Sequence, residues 1–294
     1  MIQVLRLLLR RALIFALVAG LAYFTVFQLF PYIDDRLPSL IAVLATYLIM
    51  AYAVIPAFIR VFRLFERPNH IPTSAMTGDG WPSDPVNVAI LAHSEKDFVW
   101  AMQKAGWHKA DEKTPRSALK IMWSVIANKP YLNAPFSNLY LFGRKQDIGF
   151  QIPVGNSPRR RHHIRFWKVT HQSVLANGQT SHEHNGFWHT LFAKFWHKEQ
   201  TLWVGACLYD SGPIAILWRN GQINHKNHPD ADYEREFLLQ TLQDANTVKS
   251  VESIPSGAPY RKRGQNIGLT IVSDGLVKLC ELKRQLLPPL KKDG

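Results

Sequence analysis

Cysteine is almost absent from this sequence: 294 residues contain two, Cys207 and Cys280. They lack C-x-x-C spacing, so neither a disulfide framework nor a zinc site is signalled, which fits a reducing compartment. Acidic residues are scarce too, with 22 Asp and Glu against 35 Lys and Arg and a formal net charge of +13. There is no G-x-S-x-G elbow, no glycine-rich nucleotide-binding pattern and no P-loop. Internal repeats are missing, and no cofactor is indicated.

What the chain does have is two long apolar runs near the start. Ala12 to Phe30 is uncharged with Gln28 as its one polar amide, and Leu40 to Ile59 is uncharged throughout. Each approaches the roughly 20 helical residues that cross a hydrocarbon core. A cleaved signal peptide would have a shorter apolar core followed by a small-residue cleavage site, and none appears before Pro31. The expectation is a two-helix transmembrane hairpin within residues 1–67. Arg6, Arg10 and Arg11 precede the first run, Arg36 alone sits in the turn, and Arg60, Arg63 and Arg67 follow the second. Cationic flanks resist translocation, so both termini are expected in the cytoplasm. Residues 1–70 carry a net +4, which leaves +9 for the rest. A basic domain tethered at a bilayer suits lipid head groups or an anionic small molecule better than nucleic acid.

Residues 68–85, rich in Pro and Gly without periodicity, read as a linker. A soluble domain is expected over 86–282, with an insertion at 171–200 and a tail at 283–294. Val86 to Leu91 reads as a buried strand. Ser94 is placed to cap a helix running to Ala105, with Gly106 as its stop. Thr114 and Pro115 start a second helix whose stripe of Leu119, Trp123 and Ile126 is expected in the core. Strands are expected at Leu139–Phe142, Ile148–Pro153, His162–Val169 and Leu202–Tyr209. A third helix is expected from about Asp230 to Ala245, then strands at Leu269–Val272 and Leu276–Leu282. This mixed order indicates a single, largely antiparallel α+β domain. The insertion contains His182, His184 and a Phe187-Trp188, Leu191-Phe192, Phe195-Trp196 series at helical spacing. Two readings stay open for 187–197, an amphipathic helix on the bilayer or one packed on its own domain.

Four stretches, LYLFGRKQDIGFQ (139–151), GNSPRRRHHIRFWK (155–168), LWVGACLYD (202–210) and GQINHKNHPDADYEREFLL (221–239), resemble the LssY carboxy-terminal-domain family of bacterial membrane proteins. The likeness spans roughly residues 84–275. It implies a protein of the bacterial inner membrane whose domain sometimes accompanies a phosphatidic-acid-phosphatase-type domain, and it implies no activity of the domain itself. Lys226 and His228 stand where the family pattern has a second His and an acidic residue.

Two polar strings are candidates for chemistry. In the first, strand alternation puts Arg161, His163, Arg165 and Trp167 on one face, opposite His162, Ile164 and Phe166. Two guanidiniums around an imidazole make a cradle for phosphate or carboxylate. The bland alternative is the solvated face of a sheet. The second string is His225, His228, Asp230, Asp232 and Glu234. Imidazoles with carboxylates suit acid–base work or a metal, for which His225, His228 and Asp232 are the candidate ligands. Acids in a first helical turn equally well complement the helix dipole. Asp147 and Asp210 end strand-like segments, as turn carboxylates often do.

Three functions follow. The domain is a binding or regulatory module that takes an anionic ligand or lipid head group at Arg161, His163 and Arg165. Alternatively it is a hydrolase of a phosphorylated or lipid-linked substrate, with His163, His225 and Asp230 meeting in one cleft. The third reading is an accessory subunit that contacts a membrane-protein partner through its insertion. The absence of a recognisable catalytic spacing favours the first.

Overall fold

A computed structural model describes residues 2–63, 74–155, 157, 160–169, 200–256, 259–264 and 266–285. The chain divides into two compact units. The aromatic series at 187–197, with His182 and His184, lies outside the described residues.

The first unit draws on residues 1–69, 79–81 and 216–224. Helix α1 (Ile2–Phe24) passes through a π-turn at Thr25–Leu29 into α2 (Phe30–Asp34). After a short connection, α3 (Ser39–Ile49) passes through a second π-turn at Met50–Val54 into α4 (Ile55–Arg63). Two stretches, Ala12–Asp34 and Ser39–Ile59, are long and apolar enough to cross a membrane. Each π-turn ends two residues before a proline, Pro31 in one and Pro56 in the other. Proline removes one helical amide and clashes with the carbonyl four residues back, so the helix widens by one residue to relieve it. The amides of Phe30 and Ile55 accordingly reach back five residues, to the carbonyls of Thr25 and Met50. In that register the donor for the Ala51 carbonyl would be Pro56, which has none. Gln222 Nε2 supplies it instead at 3.0 Å. Tyr47 Oη donates to the Gly221 carbonyl at 2.6 Å, and the Ile223 amide donates to Tyr52 Oη at 3.1 Å.

The second unit is α+β, built on a curled and largely antiparallel sheet. Its strands are β1 (Ser74–Thr77), β2 (Pro82–Ala92), β3 (His108–Lys109), β4 (Leu139–Leu141), β5 (Arg144–Lys145), β6 (Ile148–Pro153) and β7 (Arg161–Lys168). There follow β8 (Thr201–Ile216), β9 (Ile223–Asn227), β10 (Val248–Pro255), β11 (Tyr260–Arg263), β12 (Thr270–Ser273) and β13 (Leu276–Leu282). The order β3-β6-β7-β8-β2-β1-β4-β5 runs across the main sheet. Long β2 also pairs in parallel with β13, which carries β10 beyond it. The stretch 68–85 is therefore not all connector, since it contains β1 and the start of β2. β1 finds its partners in β2 and in distant β4, contacts that no local pattern announces.

Helices α5 (Glu95–Lys104) and α7 (Ala231–Asp244) cover one face of the sheet. Phe98, Met102, Leu238 and Leu242 pack there on Phe150, Phe166 and Trp203. Trp167, Leu91, Val204 and Leu279 form the core on the other face. Ser94 caps α5 by accepting from the Asp97 amide, as its position predicts. Thr114 and Ser117 cap α6 (Pro115–Ile126) reciprocally. All three helices end alike, with Gly106, Asn128 and Asn246 at positive φ. The amides of Trp107, Lys129 and Thr247 then return to the carbonyls of Met102, Ser124 and Leu242. That geometry satisfies carbonyls the helix end would otherwise orphan.

One expectation fails in an informative way. The Leu119, Trp123, Ile126 stripe of α6 is not core: Leu119 is 62%, Trp123 69% and Ile126 69% exposed. Within α6 only Ser117 is buried. The stripe's spacing identifies a helix with an apolar side, but spacing does not say what covers that side.

Candidate functional site

Strand β7 alternates as its sequence requires, with Ile164 and Phe166 under the helices and Arg161, His163, Arg165 and Trp167 on the opposite face. That face is not solvated. His163 and Arg165 are buried, and Arg161 is partly buried. The Phe136 ring lies over them, 4.6 Å from the Arg165 guanidinium carbon and 5.6 Å from that of Arg161. It can approach because position 149 is glycine, where a Cβ would sit 2.3 Å from Phe136 Cζ.

Two carboxylates complete the buried row. Asp84, from β2, pairs with Arg165, whose Nε also donates to the Ser137 carbonyl at 3.2 Å. Asp210 accepts from Arg161 Nε at 3.1 Å, and Arg161 Nη1 donates to Gln151 Oε1 at 3.0 Å. His163 sits between the two acids, Nε2 3.7 Å from Asp84 and Nδ1 3.5 Å from Asp210. Nδ1 finds no hydrogen-bond partner among the described residues. Burial alone would raise the Asp84 carboxyl, but Arg165 and then His163 outweigh it and hold the group below its ordinary range. Asp84 carried no signal in the sequence, since its partner lies 81 residues away. Asp210 lies inside β8 and not at a strand end, so it is part of this row and not a turn carboxylate.

On the helix side, His162 is sandwiched between the rings of Phe237 and Tyr209, with centroids at 3.7 and 4.6 Å. Its Nδ1 is 2.6 Å from Oε2 of Glu234, which is fully buried on α7. Burial, and then the charge of Asp210, push Glu234 well above the usual carboxyl range. Burial, and then His163, lower His162 to about 4. The pair is therefore a neutral acid against a neutral imidazole.

The second string is dispersed. Asp230 is the N-cap of α7 and accepts from the amides of Asp232 and Tyr233. His228 Nδ1 accepts from the Asp230 amide at 3.2 Å. Asp232 pairs with Arg235 and accepts from Ser273 Oγ and the Asp274 amide. Among the described residues no three His, Cys, Asp or Glu come together as a metal-binding group, so His225, His228 and Asp232 do not form one. His225 belongs to β9, whose backbone is held by buried Asn266: its Nδ2 donates to the His225 carbonyl at 3.2 Å and its Oδ1 accepts from the Asn227 amide at 3.3 Å.

His225 and Arg161 do share a cleft, of about 100 Å³. Its polar lining includes Arg160, Arg161, Ser157, Gln151 and His225. Helix α6 contributes Ile121, Ser124 and Val125, and Pro130 and Pro135 add further apolar surface. His163, Arg165 and Asp230 do not line it. The sequence strings thus contribute Arg161 and His225 to a common space, while Arg165 is committed to Asp84. Arg160 and Ser157 lie in the first string and the turn that leads into it, but neither was named as a site residue.

Fold and site together describe an α+β domain with a small half-polar cleft and a row of buried ion pairs that share Arg161, preceded by two apolar helices. The family model of the LssY C-terminus matches residues 68–277, and the chain belongs to that family. No curated protein and no solved structure matches it.

Proposed function

We propose that this protein is a membrane-anchored binding module, held in the bacterial inner membrane by its two apolar helices with both termini in the cytoplasm. Its ligand is a phosphate-bearing anion, either a free phosphate compound or a lipid head group. The observation that carries this reading is the cleft that Arg160, Arg161 and His225 line together with Ile121 and Val125 of α6. Arg161 is already oriented by Asp210 and Gln151, so a ligand would meet a guanidinium whose rotamer is fixed in advance. The half-apolar lining suits a head group entering with part of its lipid.

Calorimetric titration of phosphate compounds into the detergent-solubilised full chain tests the reading. Charge-assisted contacts are worth about 1.5–3 kcal/mol each, so Arg161→Ala should weaken binding roughly ten- to a hundredfold. Exposed Arg160 should behave similarly in Arg160→Ala, without the stability loss expected from unpairing Asp210. Unchanged affinity in both variants would sink the proposal. Turnover that His225→Ala abolishes while binding survives would replace it with the hydrolase reading. For topology, a reporter active only in the periplasm should stay silent when fused after Gly294.

A further inference from the structure

Helix α6 is built inside out. Its hydroxyl residues face the domain: Ser117 is buried, and Ser124 lines the cleft. Leu119, Met122, Trp123 and Ile126, spaced i, i+3, i+4 and i+7, form one continuous face on the opposite side. All four are more than half exposed, at 62, 55, 69 and 69%. A soluble domain seldom leaves such a stripe to water, and contiguous exposed apolar surface marks an interaction site. The helix has no acidic residue, while exposed Arg116 and Lys120 lie on it and exposed Lys129 follows its last turn.

We infer that α6 is a bilayer-docking helix, with Leu119, Met122, Trp123 and Ile126 seated among acyl chains and the three basic residues at anionic head groups. The charge identifies the occupant. An apolar face rimmed by cations, with a Trp in it, matches the head-group boundary of an anionic membrane. The chain also carries two helices able to hold it in such a membrane, and β1 begins 15 residues after the second one ends at Ile59. Ile121, Ser124 and Val125 of the same helix line the cleft, so docking would place that space at lipid head-group depth. The inference rests on the anchoring half of the proposed function and is independent of what the cleft binds.

The test uses full-length protein in vesicles of phosphatidylcholine and phosphatidylglycerol. Met122→Cys and Ile126→Cys are labelled with a polarity-sensitive fluorophore, and Asp244→Cys, at an exposed site on α7, is the control. The native thiols do not compete: both are buried, with Cys207 pushed well above its ordinary pKa and Cys280 to about 12. The labels at 122 and 126 should emit to the blue and lose roughly half or more of their emission when nitroxide-bearing lipids are added. The control should not change. Leu119→Lys with Trp123→Lys should return the label at 126 to water-like emission while the protein still resists extraction by alkaline carbonate. Water-like emission at both unmodified positions would overturn the inference. Blue emission that nitroxide lipids leave untouched would also overturn it, because the cover would then be protein. Carbonate extraction of the unmodified chain would instead remove the anchor, and the tether with it.

Discussion

Strand β7 and helix α6 invert the ordinary rule of burial in opposite senses. Around β7 the ionisable side chains are inside, with Asp84, His163, Arg165 and Glu234 nearly or fully sealed from water. On α6 the hydrocarbon is outside. The two exceptions are resolved differently. At β7 Arg165 is answered by Asp84 and the Glu234 carboxyl by His162, all groups of the same domain. That region draws its main partners from within its own domain. The α6 stripe is left more than half exposed. A rule broken with compensation is architecture, and a rule broken without it points to an interaction.

Breaking the β7 region should have the largest consequence. Arg165→Met leaves the Asp84 carboxylate buried with only His163 and the Ser83 hydroxyl beside it. Removing one member of a buried ion pair costs about 3–5 kcal/mol, so the variant should unfold at a clearly lower temperature or denaturant concentration. Adding Asp84→Asn should recover part of the loss. A loss below about 1 kcal/mol would show that the row is more hydrated than its burial implies.

A smaller effect concerns acid. The His162 imidazole titrates at about 4 in the folded chain, below the ordinary value of 6.5. Between those pH values the unfolded chain takes up a proton that the folded chain refuses. The stability contributed by keeping His162 neutral is therefore complete above pH 6.5 and is lost as the pH falls towards 4. His162→Gln should flatten that part of the stability profile, measured by thermal unfolding across the interval. An unchanged slope would mean that His162 is already protonated in the fold.

The parts of this contrast that were legible in the sequence are the local ones. The caps at Ser94 and Thr114, the stop at Gly106 and the alternation of residues 161–167 depend on neighbours within a few positions, and the structure reproduces each. The membrane-length runs belong to the same class. What stayed hidden depends on distant residues. Arg165 looks like a free ligand-binding group until Asp84 arrives beside it from β2. Asp230 looks like a site residue until its carboxylate is seen capping α7. The α6 stripe has the periodicity of α5, and nothing in twelve residues says that one stripe will lie on Phe150 and Phe166 and the other will be left more than half exposed. For the candidate site, Arg161 and His225 were legible as polar interruptions, but their meeting in one cleft is a property of the sheet.

The most direct test uses one residue type in both helices. Met102 of α5 is fully buried, and Met122 of α6 is 55% exposed. Each is replaced by alanine in the full chain, and thermal or denaturant unfolding is followed in one detergent. Truncating a buried methionine costs about 2–5 kcal/mol, whereas surface changes stay within about 0.5 kcal/mol. The account predicts that Met102→Ala is strongly destabilised and that Met122→Ala is indistinguishable from the parent. Equal losses in the two variants would contradict it, because α6 would then be packed against its own domain and would have no face left for a membrane.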